Sequence, residues 1–147
     1  MKKNPIATGE DVLDLSLAVI ELYFRLEAIT QATTGFANAG SEFGVLRGLV
    51  LIGPQTVPEI ARARPVSRQH CQTIVNGLVE QELAEFVDNP KHKKSKLVRV
   101  TKKGRARYEA MRTQFRSAAA IYAPHFTAAE VASATDVCRR ARAMILV

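Results

Sequence analysis

The middle of the chain holds two helix starts separated by a single break. Thr56 and Glu59 stand three apart and form a capping box, in which each side chain can satisfy an otherwise free backbone N–H of a first helical turn. Pro58 lies in that turn, where its missing N–H costs little. The short helix so started runs through Ala63. Arg64-Pro65-Val66 interrupts it, because Pro65 disfavours helical geometry at Arg64. Ser67 then caps a second helix that runs to about Leu83. A short helix, a tight break and a longer helix predict a helix-turn-helix.

Ala84–Asp88 and Lys96–Val100 alternate loosely between apolar and polar residues, with Asn89-Pro90 and a basic loop between them. This predicts a two-stranded hairpin with a long tip, which makes the helix-turn-helix a winged one. Upstream, a helix is expected over 10–33. Val12, Leu15, Val19, Leu22, Leu26 and Ile29 form one apolar row, and Leu13, Leu17, Ile20 and Phe24 a second beside it. Two rows over roughly 36 Å of helix ask for burial on two sides. A second subunit is the natural second surface, and a central helix within a monomer is the alternative. A small-residue loop, Gly35 to Gly40, leads to a helix over 41–52 that Gly53-Pro54 stops. Thr101 caps a helix over 102–122, which Pro124 ends. Thr127 and Glu130 repeat the capping box and open a last helix over 128–145.

The order is α-α-α-α-β-β-α-α, a mainly α fold with one small β-hairpin. It divides into an N-terminal helix (1–40), a winged helix-turn-helix (41–100) and C-terminal helices (101–147), all in one continuous domain. With 147 residues the chain can bury a core without staples. Its 47% apolar and 24% charged residues argue against disorder. No apolar run is long enough to span a bilayer. Glu10, Asp11 and Asp14 fall where a secretion signal needs an apolar stretch. Cys71 and Cys138 fit no metal spacing, and a reduced cytoplasmic setting is the simplest one. No metal or cofactor is expected.

The charge is localised. Residues 56–108 carry twelve Lys and Arg against five Asp and Glu, the whole net charge of +7, while the remainder is neutral. Such asymmetry points to an anionic partner, double-stranded DNA first and membrane surface second. On the second helix of the pair, Cys71, Ile74, Val75, Leu78 and Val79 share the core face. Arg68, Gln69, Gln72, Thr73 and Asn76 face outward. Arg can grip guanine, and Gln or Asn adenine, through paired hydrogen bonds. Ser67 and the helix start can hold a phosphate. His70 can touch DNA or pack. An outward polar row is also a common solvated face. The hairpin tip, Lys91-His92-Lys93-Lys94-Ser95-Lys96, would repel itself without nearby phosphates, although a charged edge loop also guards against aggregation. His70, His92 and His125 lie on separate elements and form no catalytic pairing, and no phosphate-cradling glycine motif or nucleophile elbow is present, so an enzyme is not expected. Cys71, on the core face, reads as a small hydrophobe.

These stretches resemble the MarR (multiple antibiotic resistance regulator) transcription factors. The resemblance rests on Thr56-Val57-Pro58-Glu59-Ile60-Ala61, on Val66-Ser67-Arg68-Gln69 through Leu78-Val79-Glu80, on the wing, and on Val100-Thr101-Lys102-Lys103-Gly104. It covers about 10–146. It implies a homodimer built from the first and last helices, two winged modules on a two-fold operator, and a repressor released by a small ligand. It also implies an effector pocket between the long helices and the winged module, for which Phe24, Arg47 and Leu51 are candidates, Arg47 facing a carboxylate or phenolate of an aromatic or anionic ligand. Two departures stand out. Glu82 occupies a position where the family usually has Gly, and a left-handed cap there costs about 1 kcal/mol with a side chain, which leaves room for a different turn. His92-Lys93-Lys94 stands where the family carries Asp-x-Arg. Lys lacks the fork of Arg, so the wing is expected to serve phosphate more than sequence, with His92 a pH-sensitive element or simply polar. The alternative to a sequence-specific regulator is a basic winged module that meets nucleic acid or an acidic protein without sequence preference.

Overall fold

A computed structural model describes residues 5–34, 39–64 and 66–145. Its elements are α1 (Gly9–Thr34), α2 (Ala39–Leu51), α3 (Val57–Arg62), α4 (Arg68–Glu80), β1 (Ala84–Val87), β2 (Leu97–Val100), α5 (Lys102–Ala120) and α6 (Ala128–Met144), with a single 3-10 turn at Ala123–His125. The expected mainly helical order with one hairpin is the observed one. The small-residue loop shrinks, because α2 already begins at Ala39; residues 35–38 lie outside the described residues. Pro124 sits inside the 3-10 turn rather than at the helix end, which comes at Ala120.

Two compact units are present, Met1–Ser41 and Glu42–Val147. In the first, α1 leaves its second apolar row exposed, with Leu13, Leu17 and Ile20 each 49% accessible and Phe24 63%, and its first row exposed except for half-buried Leu15 and Ile29. In the second, one core joins four helices to the hairpin. Val45, Leu46 and Leu49 come from α2, Val57 and Ile60 from α3, and Cys71, Val75 and Leu78 from α4. Val98 of β2 and Tyr108 and Met111 of α5 complete it. Ile74 and Val79, expected on the same face of α4, pack at its margin, half-buried. Phe43 extends the core sideways, its ring 5.3 Å from Tyr108 and 4.7 Å from Phe115.

The hairpin is antiparallel, with Ala84 opposite Val100, Glu85 opposite Arg99 and Phe86 opposite Val98. Gln55 pairs with Val98 from the other side, so the segment before α3 lies along β2. The wing is thereby tied to the start of the helix-turn-helix.

The junction from α4 to α5 explains two sequence features. Leu83 N–H donates to the Leu78 carbonyl and Glu82 N–H to that of Val79, the paired bonds of a Schellman end. Glu82 takes the left-handed position with φ 61°. The left-handed turn is thus kept despite the missing glycine. It is held from α5: Thr101 Oγ1 donates to the Glu82 carbonyl at 2.7 Å, and Lys103 Nζ meets the Glu82 carboxylate at 3.1 Å. Gly104 is set by the same junction. A Cβ at Gly104 would collide with the Leu83 carbonyl, so no other residue fits without moving backbone.

Candidate nucleic-acid interface

The helix-turn-helix forms through local bonds. Thr56 accepts from Glu59 N–H through its hydroxyl, while the Glu59 carboxylate takes the Thr56 N–H at 2.7 Å. Those bonds, the backbone N–H first and the hydroxyl second, hold the Glu59 carboxyl below its ordinary value. Ser67 Oγ accepts the His70 N–H at 3.1 Å and starts α4. The Ser67 oxygen is therefore engaged in capping, which leaves its hydroxyl proton and the exposed helix start for an anion.

Along α4 the predicted row separates into two kinds of residue. Arg68, Gln69, His70, Thr73 and Asn76 are exposed, and Gln72 is half-buried. Gln72 Nε2 donates to Asn76 Oδ1 at 2.8 Å, and the Thr73 hydroxyl turns back to the Gln69 carbonyl at 3.2 Å. Among the described residues, the side chains of Arg68, Gln69 and His70 at the front of the helix meet no hydrogen-bond or ion partner. His70 takes no part in the core. The face is positioned by its opposite side, where Cys71, Val75 and Leu78 are buried. Burial pushes the Cys71 thiol upward, the small-hydrophobe behaviour expected of it, with Arg64 opposing the shift.

The wing tip is built from two consecutive turns. Asn89 accepts the Lys91 N–H with its side chain at 3.0 Å and the His92 N–H with its carbonyl at 3.2 Å, and His92 then accepts the Ser95 N–H. Lys91, His92, Lys93, Lys94 and Lys96 all project into solvent. Asp88, Asn89, Pro90, Lys93 and Lys96 line a cleft beside the tip. At the wing base, Arg99 pairs with Glu85 at 2.9 Å across the strands and is not available as a free cation. Among the described residues no cluster of His, Cys, Asp and Glu could hold a metal ion. No helix among them is long and apolar enough to cross a membrane.

The candidate effector residues fall on two elements. Arg47 and Leu51 are exposed one helical turn apart on α2, and Phe24 is exposed on α1. Sequence reasoning treated Arg64 only as the residue before a helix-breaking proline. In the fold its side chain lies along α2 against Gly44. No local pattern announces that contact, since the two residues meet only when α2 packs on the turn.

A capped two-helix motif with an antiparallel wing, followed at once by a helix whose first turn admits only glycine at its third residue, is a narrow combination. The sequence profile of the MarR family matches residues 39–95. This segment is a MarR-family winged helix-turn-helix. The chain as a whole carries the MarR fold. A solved MarR family transcription regulator superposes with a TM-score of 0.72 at 22% identity, covering 90% of this chain and 89% of the other. BpsR of Bordetella bronchiseptica, whose DNA binding is regulated by 6-hydroxynicotinic acid, gives 0.72 at 20% identity over 95% and 98%. An uncharacterized protein of Mycobacterium tuberculosis is 43% identical over 56 residues. That stretch is 38% of this chain and spans only 39% of the mycobacterial relative. The superposed protein is itself a transcription regulator.

Proposed function

We propose that this MarR-type chain is a sequence-specific DNA-binding repressor that acts in the cytoplasm as a homodimer on a two-fold operator. The observation that carries the reading is the exposed polar row of α4 together with a wing tip that presents four lysines and a histidine to solvent. Arg68 and Gln69 read base edges, with His70, Gln72, Thr73 and Asn76 along the groove. Ser67 and the start of α4 hold a phosphate. Lys91, His92, Lys93, Lys94 and Lys96 engage the backbone beside it. The exposed apolar rows of α1, together with exposed Ile121, Phe126 and Val131 around α6, support a second copy as the missing surface. The likeness to BpsR, whose DNA binding is regulated by 6-hydroxynicotinic acid, supports an aromatic or anionic effector for this chain, received on α2 near Arg47 and Leu51.

The internal bonds of Gln72, Asn76 and Thr73 favour a second reading, a basic module with little base discrimination. Fluorescence anisotropy on the duplex upstream of the gene, against a scrambled duplex, across a salt series, decides between them. An operator reader binds the upstream duplex at least about 10³ tighter, at two subunits per site. Equal affinity for both, falling steeply with salt, would leave the non-specific module.

A further inference from the structure

The outer side of α5 has no part in the reading of DNA above. One side of this helix is buried through Gly104, Tyr108 and Met111, with Phe115 at the margin of the core. A second row, Lys102, Arg105, Glu109, Arg112 and Arg116, also follows helical spacing and lies about a third of a turn round the helix. All five residues are exposed. The row runs along the helix for about 21 Å. Arg112 pairs with Glu109 at 3.4 Å, whereas the side chains of Lys102, Arg105 and Arg116 meet no ion partner among the described residues. Opposite the core, Ala106, Ala110, Thr113 and Ser117 are exposed and small, so another backbone can approach α5 closely there.

These cations act against the helix that carries them. The first turn of α5 holds Lys102 and Lys103 and no acid, at the positive end of the helix dipole, where carboxylates are favoured. Lys102 with Arg105, and Arg112 with Arg116, are like charges three and four residues apart, which repel on a helix surface. Helix stability therefore does not account for the row, and an anionic surface laid along it would relieve both penalties. Two kinds of anion compete. A phosphate backbone is negative at every step and would meet the Glu109 carboxylate midway. A protein helix carries its charges at the same three- and four-residue spacing as the row. It can set a neutral or basic residue opposite Glu109, and it can lie on the small side chains next to the row. The position of Glu109 favours the protein helix.

We propose that the outer face of α5 docks an acidic helix of another protein. The partner's carboxylates stand opposite Lys102, Arg105, Arg112 and Arg116, and a neutral or basic residue stands opposite Glu109. The row lies on a different element from α4 and the wing tip, so the inference does not depend on the regulator reading. It adds a protein-directed contact to the chain. Exposed ion pairs are individually weak and are screened by salt, so this contact selects its partner by register rather than by strength.

The test is fluorescence anisotropy of labelled helical peptides titrated with the full chain at low ionic strength. One peptide carries Glu at the spacing of the row and Lys at the position that faces Glu109. A second replaces that Lys by Glu, and a third has the composition of the first in scrambled order. The parent should bind the Lys-centred peptide at least about tenfold tighter than the scrambled one, as several weak pairs acting together give. It should also prefer it to the Glu-centred peptide. Arg105→Gln combined with Arg116→Gln should reduce binding to the scrambled level. Glu109→Lys should reverse the preference toward the Glu-centred peptide, a result that loss of folding cannot mimic. Circular dichroism melts establish that each variant folds. The proposal is overturned if the parent treats the matched and scrambled peptides alike, or if Glu109→Lys leaves the preference as it was. It is also overturned if the double variant weakens binding to a scrambled duplex, which would make the row a DNA surface. A shift of the double variant toward single chains in sedimentation velocity would overturn it as well, by making a second copy the occupant. A chain that selects the Lys-centred peptide yet ignores duplexes would keep this surface and lose only the regulator reading.

Discussion

The winged core and the long α1 helix are made from similar apolar residues and treat them in opposite ways. In the core, Leu46, Leu49, Val75, Leu78 and Val98 are at most 2% accessible. Along α1, Val12, Leu13, Leu17, Ile20, Leu22 and Leu26 are each about half accessible. Apolar burial stabilises by roughly 25 cal/mol per Å², so the core has taken this gain within one chain. For α1 the gain is still to be made. The difference teaches that the winged unit buries its apolar residues by itself, whereas α1 leaves most of its own exposed.

The sharpest way to break this comparison is to damage each region once. Leu46→Ala should cost about 2–5 kcal/mol in urea unfolding, with the same loss at every protein concentration. Ile20→Asp should leave the core intact. Its effect should appear in sedimentation velocity as a shift toward single chains and in the disappearance of any concentration dependence of Tm. If Ile20→Asp unfolds the winged core, the two regions are not independent.

Gly104→Ala probes how tightly the core is closed. Its methyl meets the Leu83 carbonyl, a backbone atom that cannot swing away. A loss of about 3 kcal/mol is expected in the same unfolding measurement. Parental stability would mean that the α4–α5 junction is looser than it looks.

Thr56→Ala tests the local cap that starts the helix-turn-helix, and about 1 kcal/mol of lost stability is expected near neutral pH. Glu59 adds a pH signature. Its carboxyl is depressed in the fold, so the cap contributes fully above the unfolded carboxylate value and is lost as pH falls through the folded one. The gap between Thr56→Ala and the parent should therefore narrow in urea melts taken on the acid side of the carboxylate range. A gap that widens there would refute the cap assignment.

Glu82→Gly has the smallest expected effect, and its sign is opposite. Relief of the left-handed backbone should stabilise the chain by up to about 1 kcal/mol. The exposed Lys103 pair lost with Glu82 is worth little by comparison. A destabilised Glu82→Gly would show that this contact holds the junction more firmly than the backbone strain opposes it.

Most of the helix-turn-helix was legible because its signals are local. Thr56 with Glu59, Ser67, Thr101, and Thr127 with Glu130 each close bonds to a residue three positions away, and all of these caps are present. The core face of α4 followed from helical spacing in the same way. The turn at Glu82 read differently, since intrinsic preference disfavours a side chain there. Thr101 and Lys103, which hold Glu82, belong to a helix that begins only after the wing.

Residue order alone thus determined the helices, their caps, the hairpin and the concentration of positive charge between 56 and 108. These depend on neighbours a few positions apart, or on composition. Tertiary structure decided how the Glu82 turn is held and why Gly104 admits no side chain. It also brought the Arg64 guanidinium onto Gly44 beside Arg47. These last features join groups far apart in the chain, and such groups come into reach only after apolar burial has packed α2, the helix break and α5 together.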